Sequence, residues 1–411
     1  MTSRQTPPPV GPRRRPQAPP PARPAEPARD RRRLAGGGAV ELVGFPRSFT
    51  DERWVIDRPI DVIRYEKVSA TPFLPVTTVD GAASVAGALY DARGRLIVES
   101  ERAVARGRLS SNPPTLADPP RAPVLPGEYV YVGFAIQSYG HFLVEILSRL
   151  WWVAHLDDLK GVNLLLHGWK GREGRARESR PPTFLASLLT RFGINRPPSG
   201  ATNFLSASWV KGFFEILGIE PGQVSFVSPI GAQIEAVRVP APALVVNGHA
   251  HPEFPRLYRL IADKVAGDVG PGSARLYLSR SKLTSRRGGG PAKRPADNEK
   301  ALEALLARHG FSIVHPQEMP LAEQIRLMRS AAVVAGCDGS ALHNVVFARP
   351  GTRVLAFDSR VVENQFAIEE ACGLEARHLW MGGGMPYSKP NGAWSIDLDR
   401  VERNLDFARG G

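Results

Sequence analysis

AAVVAGCDGSALHNVVFARPGTRVLAF, residues Ala331 to Phe357, runs an apolar segment into Gly336, Asp338, Gly339 and Ser340, then a short apolar-periodic segment to Phe347, a Pro350-Gly351 turn and a second apolar segment from Val354. The pattern predicts strand, glycine-bearing turn, helix, turn, strand. In such a unit the turn lies at the carboxyl end of its strand and opens the next helix. The amides around Gly339, Ser340, Ala341 and Leu342 are therefore expected to face an anion, with a phosphate or diphosphate the natural guest. The same turn also occurs in α/β proteins with nothing bound.

Working outward, the preceding residues alternate in the same way. Leu244–Val246 reads as a strand, Phe254–Ala266 as a helix, Arg275–Ser279 as a strand and Asn298–His309 as a helix capped by Asn298 and stopped by Gly310. Ile313-Val314 and a helix from Pro320 to Ser330 complete the approach to the focal unit. Such alternation predicts a parallel sheet with helices on both faces.

Earlier in the chain, from Val40 to Ile136, short β-branched and aromatic runs punctuated by Pro, Asp and Gly predict strands, with a hairpin turning near Arg93-Gly94 and a proline-rich loop over Asn112–Pro126. Tyr129–Ile136 reads as a buried strand, and Ser138 then caps a helix to Leu156 whose stripe carries His141, Glu145, Ser148 and Arg149. Val162–Leu166 and Val224–Val227 read as strands, Phe184–Phe192 and Trp209–Leu217 as helices, and the prolines near 240–242 as a hinge. The expected division is 1–37 tail, 38–240 first α/β domain, 241–385 second Rossmann-like domain and 386–411 C-terminal tail.

The chain of 411 residues is 43% apolar, enough for two cores. Its charge of +13 is concentrated at the start: residues 1–37 hold nine arginines against Glu26 and Asp30, which leaves +6 for the rest. That segment is Pro, Arg and Ala with few large apolar side chains and is expected to be disordered; it can touch an anionic membrane surface or stay solvated. Nucleic acid is not the expected partner. No secretion-type core or run of about 18 apolar residues occurs, so a cytoplasmic location, at most at the inner face of the membrane, is expected. Only Cys337 and Cys372 are present, which argues against a disulfide framework or cysteine-built zinc site, and Cys337 reads as a small buried thiol.

Several side chains are placed to carry chemistry. His141 and Glu145, four residues apart on one helix face, can touch, the carboxylate orienting the imidazole; the same pair also serves as a structural contact at the core edge. Arg280 and Lys282 follow a strand at the edge where open α/β sheets bind ligands, and Arg286 lies in the glycine-rich loop beyond; together they suit a diphosphate. Asn298 and Glu299 start the next helix as caps or ligands. Asp358 closes the Val354–Phe357 strand, where an acidic residue can accept from ribose hydroxyls. His343 and Asn344 sit on the first turns after the focal loop, facing either cleft or core. His249 and His251 lack acidic or sulfur partners nearby, and Asp397-Leu398-Asp399 reads as surface charge, so no metal site is assigned.

In order and spacing these residues resemble glycosyltransferase family 61. The resemblance runs from Tyr139 to Asp358: YGHFLVEILSRL, the Ser279-Arg280 strand end, the Asn298-Glu299 helix start, Glu323-Gln324-Ile325, then the glycine turn with Asn344, Phe347, Pro350 and Gly351. Where many members have His-Gly-Ala this chain has Asp338-Gly339-Ser340, and the carboxylate ending the last strand, Asp358, falls one place later or in a shifted register.

The resemblance implies a GT-B-like α/β fold, two Rossmann-like doubly wound domains facing a cleft, the later one holding a nucleotide-sugar donor and the earlier one a glycan or polysaccharide acceptor. It implies inversion at the anomeric carbon, His141 with Glu145 as base or acceptor-site group, and Arg280, Lys282, Arg286 and the Ser340 amides on the diphosphate. Capsule- or exopolysaccharide-type synthesis by a hexosyl- or pentosyltransferase is the expected role. No cofactor beyond the nucleotide-sugar co-substrate is expected, with a divalent metal left open. The alternative is a catalytically silent relative that holds a sugar nucleotide or glycan, favoured by Asp338.

Overall fold

The computed structural model describes residues 30–31, 39–45, 54–78, 83–105, 108–122, 124–156, 159–168, 204–267, 270, 272–282, 296–381 and 394–409. The expected helix at Phe184–Phe192, Arg286 and nearly all of the basic tail lie outside these residues. Of the tail, Asp30–Arg31 is described, and it forms a short edge strand antiparallel to Ala39–Val43.

The focal strand, Ala331–Cys337, is an interior strand of a seven-stranded sheet, third from one edge. Ala274–Leu278 and then Ser312–Val314 lie on one side of it; Arg353–Asp358, Glu375–Trp380, Ala39–Val43 and Asp30–Arg31 lie on the other. All pairings but the last are parallel. Its central strands are near-continuous runs of Val, Ala, Leu and Phe because both faces are covered. The helices Glu299–Arg308, Leu321–Ser330 and Glu363–Cys372 are the crossovers. Register pairs Leu278 with Gly336, Cys337 with Phe357 and Asp358 with Trp380, so the loops after three strands, carrying Arg280, Gly339 and Arg360, emerge at one edge.

A second sheet has six strands in the order Val224–Val227, Asn163–Gly168, Val124–Ala135, Ala232–Pro240, Val62–Ala70, Leu89–Tyr90. The first four are parallel and the last two join antiparallel. The chain is thus α/β with one mostly parallel and one mixed sheet.

The chain order and the spatial order differ at both ends. Ala39–Val43, expected in the first domain, pairs with Glu375–Trp380 of the later sheet, since AVELV offers a buried apolar strand to that sheet's open side. Part of the expected C-terminal tail is also structural: Leu398–Arg403 is a helix, with Ile396, Val401, Leu405 and Ala408 buried against Val43 and Leu379. In the proline segment at 240–242, Ala241 N is bonded to Asp61 O and Trp151 Nε1 donates to Ala241 O, and next to it Ala243 N is bonded to Ser148 O. A single hydrophobic core contains side chains from both sheets and from the helix Phe254–Ala266 between them.

Two segments depart from the helical periodicity. The expected helix over 138–156 is broken into Tyr139–His141 (α), Phe142–Ile146 (π), Leu147–Arg149 and Trp151–His155 (both 3-10). Two of its carbonyls are claimed by side chains, Leu143 O by the Tyr258 hydroxyl and Glu145 O by the Ser148 hydroxyl, and such claims interrupt a regular ladder. After the focal turn, Leu342–Phe347 is a 3-10 segment rather than an α-helix, because all six side chains are buried and packing on every side overrides local preference. Leu244–Val246 forms only an isolated bridge, Leu244 to Ala250, around a tight turn at Asn247-Gly248.

Candidate active site

Gly140 and Ser340 bring the two sheets' loops together. A Cβ on Gly140 would lie 2.4 Å from Ser340 Oγ and 3.0 Å from its Cβ, so only glycine lets the His141 segment sit on the focal turn. Gly140→Val is accordingly expected to cost about 2–3 kcal/mol by overpacking, with most of it recovered when Ser340→Gly is added; urea midpoints of the two variants check this. Beside this contact the Tyr139 hydroxyl donates to Asn344 Oδ1, and Asn344 Nδ2 donates to Gln324 Oε1 at 3.3 Å. Asn344 therefore ties the halves together, with both ends of its amide engaged.

His141 and Glu145 do touch, Nδ1 to Oε1 at 2.5 Å, within the π turn, where the wider coil keeps positions four apart adjacent. The imidazole is 43% exposed and the carboxylate 10%. Arg102, which sequence reading did not single out, donates to both carboxylate oxygens at 2.8 Å. Burial alone would raise the Glu145 pKa, but the His141 hydrogen bond and the Arg102 charge outweigh it and hold the carboxyl below its usual range. The carboxylate accepts from Nδ1–H of the neutral His141 ring, which leaves Nε2 as the acceptor. Arg149, on the expected stripe, instead turns inward to Pro240 O and Glu101 O. Glu145, Arg102 and Arg149 also line a cavity of about 200 Å³ walled by Val98, Phe134, Leu244 and Val246.

On the other side of the contact, Arg280 Nη1 donates to Asp338 O at 3.0 Å, and Gly339 takes φ +138°, a backbone conformation that favours glycine. Glu299 Oε1 accepts from Arg280 N, Tyr277 and Ser279; it fixes the strand end that presents Arg280. The buried Asp338 carboxylate accepts from Ser359 N and Oγ and from Arg360 Nε at 3.0 Å. It cross-braces the two strand-end loops. Arg360 is a second unforeseen cation, 28% exposed, at this edge.

Other expected ligands lie elsewhere or are engaged otherwise. Asn298 makes no side-chain cap bond; its amide clamps the Ile396 backbone in both directions, at 2.7 and 2.9 Å. Lys282 is paired with Glu318 at 3.0 Å on the surface. The amide of Leu342 is bonded to Gly339 O, so it does not face an anion. Asp358 is 1% exposed and bonded to His378, which bonds in turn to Glu369. Asp397 caps the Leu398–Arg403 helix, and among the described residues no cluster of three or more potential metal ligands occurs.

Burial alone would lower the pKa of His378, but Glu369 and Asp358 raise it to about 10. Burial also raises Asp358, to about 6. A folded pKa raised above the unfolded one stabilises below the unfolded value and ceases to do so as pH climbs through the folded one. The His378 contribution is complete below 6.5 and lost through about 10; that of Asp358 works in the same sense between 3.8 and about 6. His378→Gln is expected to cost about 3–5 kcal/mol near neutral pH. The gap to wild type should narrow as pH rises from 7 to 10, measured as urea midpoints.

A helix-borne imidazole–carboxylate pair thus lies against a cationic, glycine-bearing turn of a parallel sheet. The chain belongs to the glycosyltransferase 61 family, whose model matches residues 139–355, from the Tyr139–Asn344 tie through the focal turn to the next strand. No curated protein matches it. Family membership makes it a glycosyltransferase, a class that in general moves a sugar from a nucleotide-sugar donor to a glycan acceptor. Among the described residues no helix is long and apolar enough to cross a membrane.

Proposed function

We propose that this protein is an inverting glycosyltransferase that takes a hexose or pentose from a nucleoside-diphosphate donor to a glycan acceptor, in capsule- or exopolysaccharide-type synthesis. The observation that carries the reading is the close approach of Gly140 to Ser340, which sets His141 beside the turn whose backbone Arg280 contacts. In this GT-B-like reading the later sheet's edge holds the diphosphate through Arg280 and the amides of Ser340 and Ala341. The earlier half holds the acceptor. His141 Nε2 removes the proton of the attacking hydroxyl, and Glu145, held by Arg102, supports the imidazolium that forms. The bond from the anomeric carbon to the diphosphate breaks as the new glycosidic bond forms on the opposite face. The guanidinium stabilises the charge that develops on the leaving group, so that no divalent metal is required. We place the reaction in the cytoplasm, at the inner face of the membrane where the basic tail meets anionic lipid.

A panel of nucleotide sugars tests this directly. The correct donor at a hundredfold excess over its Kd contributes about 2.7 kcal/mol to the native state and should raise the melting temperature by a few degrees. It should also be hydrolysed slowly without acceptor, which a silent sugar-nucleotide-binding relative would not do. A flat panel would sink the proposal. The Asp338 departure that favours a silent relative has a structural account, since its carboxylate braces Ser359 and Arg360.

A further inference from the structure

A buried polar chain connects the end of the Arg353–Asp358 strand to the focal turn. Asp358 Oδ2 meets His378 Nδ1 at 2.7 Å, and His378 Nε2 meets Glu369 Oε2 at 2.6 Å. Gln365 Nε2 donates to Glu369 Oε1 at 2.7 Å, and Gln365 Oε1 lies 2.8 Å from His343 Nδ1. Every member is 6% exposed or less. Its first three residues form a charge-compensated triad; the last two, Gln365 and His343, lead to the focal turn.

The chemistry of the groups gives the chain a direction. A carboxylate oxygen only accepts, so Glu369 turns the NH2 of Gln365 toward itself and the carbonyl toward His343. That carbonyl also only accepts, so His343 carries its proton on Nδ1 and the lone pair is on Nε2. Burial pushes the His343 pKa down to about 4, keeping the ring neutral near pH 7. The charged and titratable groups acting on it are His141 from the earlier half and Arg360 and Asp338 from the strand-end loops. Among the described residues Nε2 has no hydrogen-bond partner. His343 lies three residues beyond Ser340 in the 3-10 segment that continues the focal turn.

A lone pair so placed selects its guest. A diphosphate brings only acceptor oxygens and would be repelled, whereas a sugar brings hydroxyls that donate. We infer that His343 offers Nε2 as a fixed hydrogen-bond acceptor to a hydroxyl of the donor sugar, with Gln365, Glu369 and His378 as positioning residues that hold its tautomer. The inference rests on the reading above that a nucleotide sugar binds at this edge. It separates His343 from Arg280: one reads the sugar, the other the leaving group.

The test pairs nitrogen spectra with binding, on the full chain. In protein labelled with 15N-histidine, His343 should show a protonated Nδ1 and a bare Nε2, and Gln365→Leu should move it to a tautomer mixture. His343→Ala should weaken binding of the nucleotide sugar about 10- to 100-fold while leaving the matching nucleoside diphosphate within about twofold. His343→Gln, which keeps an acceptor and fills the site, should recover part of the loss; its melting temperature guards against a folding explanation. A proton on Nε2 in the wild type would overturn the inference, and so would equal effects of His343→Ala on both ligands or none on either. If the wild type binds no nucleotide sugar at all, this inference and the proposed function fall together. If it binds and transfers sugar while His343→Ala leaves its affinity unchanged, only the inference falls.

Discussion

His141→Ala is expected to lower sugar transfer about 10³- to 10⁴-fold while donor affinity stays near the wild-type value. The argument rests on what the imidazole does and on what holds it. Proton removal by a positioned base contributes about 10²- to 10⁴-fold, and His343, whose pKa burial pushes down to about 4, is the weaker base of the two imidazoles near the turn. His141 has a buried carboxylate on Nδ1, itself gripped by Arg102 through two bonds of 2.8 Å, and keeps an exposed edge for the acceptor. Glu145→Gln, which leaves the shape but removes the charge that supports imidazolium, should cost less, about 10²-fold, and Arg102→Met should follow the same trend. Steady-state transfer assays with the donor found by the panel check all three. Near-wild-type transfer by His141→Ala would remove the base assignment.

The second large effect is expected at Arg280. Arg280→Ala should reduce transfer about 10²- to 10³-fold and weaken nucleoside diphosphate binding, with a smaller loss in Arg280→Lys, whose point charge lacks the paired donors. Its location explains why a substitution here should act on chemistry more than on folding: the guanidinium reaches the Asp338 carbonyl across Gly339, while the backbone beneath it is held separately by Glu299. Turnover and product-inhibition constants measured side by side read both consequences. Unchanged product inhibition in Arg280→Ala would move the diphosphate away from this turn.

Much of the architecture was legible before any coordinates. The alternation from Phe254 to Phe357 predicted parallel strands and their crossovers because both periodicities are strong there. The His141–Glu145 contact followed from spacing four residues apart on a coil, and it survives even though that coil is π rather than α. Other features were not legible because they depend on partners far away in sequence. Arg102 lies 43 residues from Glu145, in a stretch with no motif of its own. Gln365, Glu369 and His378 look like ordinary helix and strand residues until folding stacks them beside His343. Asn298 and Asn344 carried the right chemistry for ligands, yet tertiary contacts at Ile396, Tyr139 and Gln324 claim their amides.

Local periodicity and turn chemistry, which act over a few residues, determined by themselves that this chain builds a parallel α/β sheet with a glycine turn at the carboxyl end of a strand. The tertiary structure alone decided which strands share a sheet, so that Ala39–Val43 completes the later one, and which polar groups face the site. It also decided that Gly140 rests on Ser340, bringing His141 to the turn. A hydrogen bond or a steric fit between residues hundreds of positions apart leaves no periodic trace in the sequence, because it is set by the packing of whole elements rather than by the preferences of neighbours.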